Sequence, residues 1–133
     1  MNKDNLNISK IETFLYELFN DSVGERVIVG SKVFNKTEIP SNCDSFCHVD
    51  LPNGVNDMDA YGQGTALVAL YARPMESGRK NVKVLSEMEV ELNRVLAESN
   101  NPNYKVIRRL TYSSFNRDID WHCNVVEVII TIL

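Results

Sequence analysis

The run Thr65 to Ala72 constrains this chain more than any other segment. Both of its alternating sets are apolar, with Leu67, Ala69 and Tyr71 on one side and Ala66, Val68 and Leu70 on the other. Successive residues of a strand face opposite sides of a sheet, so a strand apolar on both sides has to be covered on both. The run therefore predicts a strand in mid-sheet. The rest of the chain must supply strands beside it and cover above and below.

Helices are the natural cover, and two are legible. Val82, Leu85, Met88, Leu92, Val95 and Leu96 fall on one arc at a helical turn of about 100° per residue. Lys83, Glu87, Glu91, Arg94 and Glu98 lie opposite, and Asn100, Asn101 and Pro102 end the pattern, so a helix is predicted over Asn81 to Glu98. Near the start, Ser9-Lys10-Ile11-Glu12 has capping-box form, and Ile11, Phe14, Leu15, Leu18 and Phe19 make an apolar stripe that Gly24 would terminate.

The strands beside the central one are predicted at Arg26 to Phe34, rich in Val, Ile and Phe, at Phe46 to Leu51, where Cys47, Val49 and Leu51 alternate with Phe46, His48 and Asp50, and at Tyr104 to Tyr112 and Trp121 to Leu133. The last two form an antiparallel hairpin across a polar connection containing Ser113, Ser114, Asn116, Arg117 and Asp118. In the last strand Val126, Val128, Ile130 and Ile132 share a face, so the chain is expected to end inside its sheet. Asn35 to Asp44 reads as a loop, and Pro52 to Gly64, rich in Pro, Gly, Asn and Asp, as a long mobile one. The resulting order is α-β-β-β-α-β-β. It predicts a single α+β domain over 1–133: a mixed, mainly antiparallel sheet of about five strands packed by two helices.

With 133 residues, 44% hydrophobic and 24% charged, the chain has enough apolar surface for one core. A net charge of -4 supplies no general attraction to phosphate backbones or anionic lipid, so neither sequence-specific nucleic acid nor a membrane is expected as partner. Met1 to Ile8 lacks the apolar core of a signal peptide, which predicts a soluble protein, cytosolic where it is made. Cys43, Cys47 and Cys123, an odd number, are then expected as unpaired thiols.

Candidate chemistry is sparse. Cys43, Cys47, His48, His122 and Cys123 are zinc-ligand types, but adjacent strand residues point to opposite faces, so Cys47 with His48, or His122 with Cys123, cannot readily aim at one ion. The same residues permit a cysteine nucleophile with a histidine base, yet no third orienting residue or oxyanion loop accompanies them. Gly62-Gln63-Gly64 precedes a strand, whereas phosphate-cradling glycines follow one, so these read as turn glycines. Asp50, Asp57 and Asp59 read as a solvated acidic loop. Arg108 and Arg109, on alternate sides of a strand, cannot share a patch and could instead pair with acids across a subunit interface. No enzyme activity, metal or cofactor is expected.

The layout resembles the small tail-completion, or tail-terminator, proteins of long-tailed bacteriophages. The resemblance rests on the helix ending near Val23-Gly24-Glu25-Arg26-Val27 and the strand after it, the short strand Ser45-Phe46-Cys47-His48-Val49, and the glycine-led strand Gly62 to Ala72. The helix Asn81 to Glu98 and the terminal strand Trp121 to Leu133 complete it. It covers nearly the whole chain, in order of elements more than in motifs. It implies a non-enzymatic virion protein, made in the host cytoplasm and placed in the tail and neck. There it forms a homo-oligomeric ring, usually hexameric, that caps the tail tube and joins it to the head, with tail-tube and head-completion proteins as partners. The expected contact surfaces are the loops Asn35 to Asp44 and Asp57 to Gly64 and the charged helix face. Asn35, Lys36, Glu38, Asp57, Asp59, Tyr61, Arg73, Arg79, Lys80 and Arg117 are the candidate interface residues. The alternative classes are a small ligand- or protein-binding module and, further off, a cysteine enzyme or zinc domain.

Overall fold

The computed structural model describes residues 1–30 and 32–133. A short 3-10 helix, Lys3–Leu6, leads into helix α1, Ile8–Phe19; strands β1, Val27–Val29, β2, Ser45–Asp50, β3, Val55–Asp57, and β4, Gly62–Ala72, follow. Helix α2, Val82–Glu98, then precedes the hairpin of β5, Tyr104–Asn116, and β6, Trp121–Ile132. The fold is α+β, as expected, with one six-stranded sheet ordered β1-β2-β4-β6-β5 and β3 paired to the start of β4. Only β1 and β2 run parallel, so the sheet is mixed and mainly antiparallel.

β4 occupies the centre, paired with β2 and β3 on one side and with β6 along its length on the other. Its Ala66, Val68, Leu70 and Ala72 face the two helices together with Cys47 and Val49 of β2 and Val126, Val128, Ile130 and Ile132 of β6. Ile11, Phe14, Leu15 and Phe19 of α1 and Leu85, Met88, Leu92 and Val95 of α2 close this main core. Phe14 stacks on Tyr104 with ring centroids 4.9 Å apart, and the Tyr104 hydroxyl donates to Asn5 O at 2.9 Å. The start of the chain is thereby tied to the start of β5.

The opposite face of the sheet carries a second, smaller core of Phe46, Ala69, Tyr71, Trp121, Cys123 and Val125, closed by Cys43 and Ile119, with Val33, Phe34 and Ile39 packed against it. Phe46 is its hub, stacked on Tyr71 at 4.6 Å and contacting Phe34 at 5.3 Å and Trp121 at 5.4 Å. Among the described residues this loop cover is local, protecting the end of the sheet where β4 finishes and β6 begins.

Several boundaries differ from expectation. Helix α1 starts at Ile8, because Asn7 Oδ1 accepts the Lys10 N–H at 3.2 Å and takes the cap expected of Ser9. It ends at Phe19, well before Gly24. The expected strand Arg26 to Phe34 is reduced to Val27–Val29; Ser31, within that expected span, lies outside the described residues. β5 runs on to Asn116, so Ser113, Ser114 and Asn116 are strand residues and the turn holds only the residues between Asn116 and Trp121. Val82, at the tip of α2, is exposed instead of joining the apolar arc.

The largest correction concerns Pro52 to Gly64. Part of it is strand: Val55–Asp57 folds back on Gly62–Gly64, and the Met58 N–H donates to Tyr61 O at 2.9 Å to close the hairpin. Gly62 and Gly64 are thus not turn residues but the first residues of β4. Glycine is required at Gly64 by close approach, since an added Cβ would lie 2.6 Å from Val55 Cγ1 and 2.9 Å from Gly54 O. The carbonyl belongs to the backbone and cannot rotate away. Gly64→Ala is therefore expected to destabilise the fold by about 1–3 kcal/mol through overpacking, read as a lower urea midpoint at unchanged m-value; an unchanged midpoint would show that the hairpin yields freely.

Candidate assembly surfaces

The expected contact residues separate into two groups at opposite ends of the sheet. Asn35, Lys36, Glu38, Arg73, Arg79, Lys80 and Arg117 lie at the end where β4 finishes, and Asp57, Asp59 and Tyr61 lie on the β3–β4 hairpin at the other. They do not form one patch. Many of the first group serve the fold itself.

Arg73 is the main case. Its guanidinium donates to Cys43 O at 2.7 Å and Pro40 O at 3.1 Å, pairs with Asp44 Oδ1 at 3.1 Å, and stacks 4.9 Å from the Trp121 ring centroid. From the other side Glu25 Oε2 accepts the Asp44 and Ser45 N–H groups at 2.5 and 2.9 Å. Two charged side chains thus hold the loop against the second core, so Arg73 is a clamp within the chain. Asn35 likewise organises its own turn, accepting from Thr37 and Glu38 N–H at 3.0 Å, while Glu38 accepts from Asn35 N–H at 3.1 Å. Lys36 pairs with Asp120 at 2.6 Å and pins the loop to the β5–β6 turn.

Lys80 belongs to a polar network between α2 and the hairpin. Its ammonium donates to Asn124 Oδ1 at 2.7 Å and Ser113 Oγ at 2.9 Å. Asn124 donates to Glu89 at 3.3 Å, and Glu89 pairs with Arg108 at 3.1 Å. Arg108 and Arg109 do lie on opposite sides of β5, as expected, but each finds an acid within the chain, Arg109 meeting Glu127 at 3.6 Å on the open face. Arg79 donates to Ser77 Oγ at 3.0 Å, and Arg117 is exposed in the β5–β6 turn. On the charged face of α2, Arg94 bridges Glu91 and Glu98 at 2.9 and 2.8 Å.

The cysteines and histidines are kept apart. Cys47 faces the helices, while Cys43 and Cys123 lie in the second core. The His48 ring N–H donates to Gly30 O at 2.6 Å. Among the described residues no group of three or more His, Cys, Asp or Glu side chains is placed to hold a metal ion. Burial pushes all three thiols up, Cys47 furthest, so they are held protonated, the opposite of what a nucleophile requires. Burial likewise pushes the Tyr71 hydroxyl up to about 12. The recesses are open to solvent: one between the ends of α1 and α2, about 510 Å3, is rimmed by Glu17, Arg94, Glu98 and Asn101, and another of about 570 Å3 is lined by Phe34, Lys36, Thr37 and Asp118.

What remains free is an edge and a face. β5 is the outermost strand on its side, and its residues facing away from the helices include Ile107, 64% exposed, and Leu110 and Tyr112, each 42% exposed. With Ile129 of β6 and Leu67 of β4, and interrupted by Glu127, they form a largely apolar strip that no loop among the described residues covers. Sequence reasoning missed this surface. The signal was present: a strand such as Tyr104–Asn116, mixed in polarity on both alternating sets, cannot be sandwiched and belongs at an edge. Among the described residues no helix is long and apolar enough to cross a membrane. No family model matches the chain, and no curated protein matches its sequence significantly.

The clamp makes a direct expectation. Arg73→Ala should cost about 1–2 kcal/mol, shift the emission of the single tryptophan, Trp121, to longer wavelength, and speed thiol labelling at Cys43 while Cys47 stays protected. Equal labelling of Cys43 in the variant and the parent would mean the loop is held by its apolar contacts alone.

Proposed function

We propose that this chain is a structural assembly subunit, a phage or prophage tail terminator that closes into a ring, caps the tail tube and joins it to the neck. The observation that carries the assembly reading is the long exposed strand β5 with the uncovered apolar strip beside it. Unpaired strand edges and contiguous exposed apolar surface mark sites where another chain adds. The tail assignment comes from the resemblance in element order, which the α+β architecture accommodates. The buried, protonated thiols favour no enzymatic reading.

A ring requires heterologous contacts, in which one patch meets a different patch on the neighbour. Among the described residues the two outer strands of the sheet, β1 and β5, are different and unpaired on their outer sides, and this asymmetry suits such a contact better than a two-fold dimer. Native mass spectrometry and negative-stain imaging, with and without a phage tail-tube protein, are expected to show a closed ring several times the 15.1 kDa subunit mass. A strictly monomeric protein under both conditions would sink the proposal.

A further inference from the structure

Strand β1 is the outermost strand on the side of the sheet away from β5, and it runs parallel to β2. Arg26 O accepts the Cys47 N–H at 2.8 Å and the Gly30 N–H donates to Val49 O at 2.9 Å, so the backbone groups at Arg26, Ile28 and Gly30 point towards β2. These groups alternate in direction along a strand. The N–H and C=O of Val27 and Val29 are therefore left on the outer side, where among the described residues nothing pairs with them. The Val27 and Val29 side chains face the helix layer and line a groove of about 400 Å3 with Ser9, Glu12, Thr13 and Tyr16. Those four share one stripe of α1, three or four residues apart, beside the free edge. Tyr16 is exposed, and the half-buried Glu12 finds no cation among the described residues.

We infer that the groove between α1 and β1 takes an extended peptide segment of another protein, which adds to the β1 edge as a further strand and brings a lysine or arginine to Glu12. A free strand edge beside a helix supplies both things such a segment needs. The backbone of Val27 and Val29 offers main-chain hydrogen bonds, and the groove receives alternate side chains. In an antiparallel addition, a residue opposite Val27 or Val29 exchanges both hydrogen bonds with it and projects its side chain to the same face. The residues held by their backbone are then also those that enter the groove. The two valines and the Tyr16 ring suit apolar side chains, and the unpaired Glu12 carboxylate suits one cation among them. Ile28 projects to the opposite face, where it packs against the second core, and does not meet the segment. β1 is three residues long, so the site fits a short segment. It is complete within one chain and does not depend on the ring.

The probe is a fluorescein-labelled peptide amide, Thr-Val-Thr-Lys-Thr-Val-Thr, whose two valines and lysine share one face when extended. Fluorescence anisotropy with the full chain is expected to show saturable binding, weakened about tenfold or more when glutamate replaces the lysine. Methylating the lysine's backbone nitrogen, which removes a donor and keeps the charge, should abolish it. On binding, hydrogen exchange should slow at the Val27 and Val29 amides and stay unchanged in β5. Glu12→Lys, with the parent's circular dichroism, should reverse the preference to the glutamate peptide, and Glu12→Gln should erase it. Binding indifferent to charge and methylation, protection in β5 instead of β1, or no binding at millimolar peptide would each overturn the inference. Protection of the Val27 and Val29 amides that rises with protein concentration in the absence of peptide would overturn it too, because a second copy would then hold the edge. That last outcome would leave the ring reading standing.

Discussion

The register between β4 and β6, running from Gly62 opposite Ile132 to Tyr71 opposite Cys123, is the constraint on which the rest of the structure depends. It sets Ala66 against Val128 and Val68 against Val126 on the helix side, and Leu67 against Glu127 and Ala69 against Val125 on the other. A slip of one residue would turn Glu127 into the main core and expel Val126 and Val128 from it. Burying that carboxylate without a partner would cost far more than the sheet's hydrogen bonds could offset. The charge on Glu127 therefore helps to choose the register as much as the valines do.

Once the register is set, the two faces meet different fates. Helices α1 and α2 cover one face with long apolar side chains, whereas the other is sealed at one end by a loop that Arg73 and Glu25 fasten. Loops are poor cover because their own backbone groups need partners, and here charged side chains supply them. Arg73 satisfies two carbonyls, and Glu25 satisfies two N–H groups. Beyond the reach of this device the sheet stays open, and Ile107, Leu110 and Ile129 remain at its surface.

The central strand, both helices and the final hairpin were legible because each has a periodicity strong enough to survive local irregularity. Leu85, Met88 and Leu92 repeat at helical spacing, and Val126 to Ile132 at strand spacing. What escaped depended on contacts distant in sequence. β3 has only three residues, and Gly64 looks like a turn residue until Val55 is seen packed over it. Arg73 and Lys36 read as free surface charges because their partners, Cys43 and Pro40 in one case and Asp120 in the other, are far along the chain. The edge position of β5 was signalled by the mixed polarity of both its alternating sets, a weaker mark than a clean period.

The pair Arg109 and Glu127 bears on why the open face is not simply apolar. Glu127 Oε2 is inaccessible to solvent and has no hydrogen-bond partner, and Arg109 stands 3.6 Å away, close enough to attract it but too far to donate. A charged pair set within the strip interrupts its apolar surface, as edge charges do. It also leaves a carboxylate that gains from any added donor or from loss of surrounding water, which strengthens its attraction to Arg109. A surface so built discriminates against a purely apolar partner, which would leave this acceptor orphaned. It favours one that brings a polar donor to the strip.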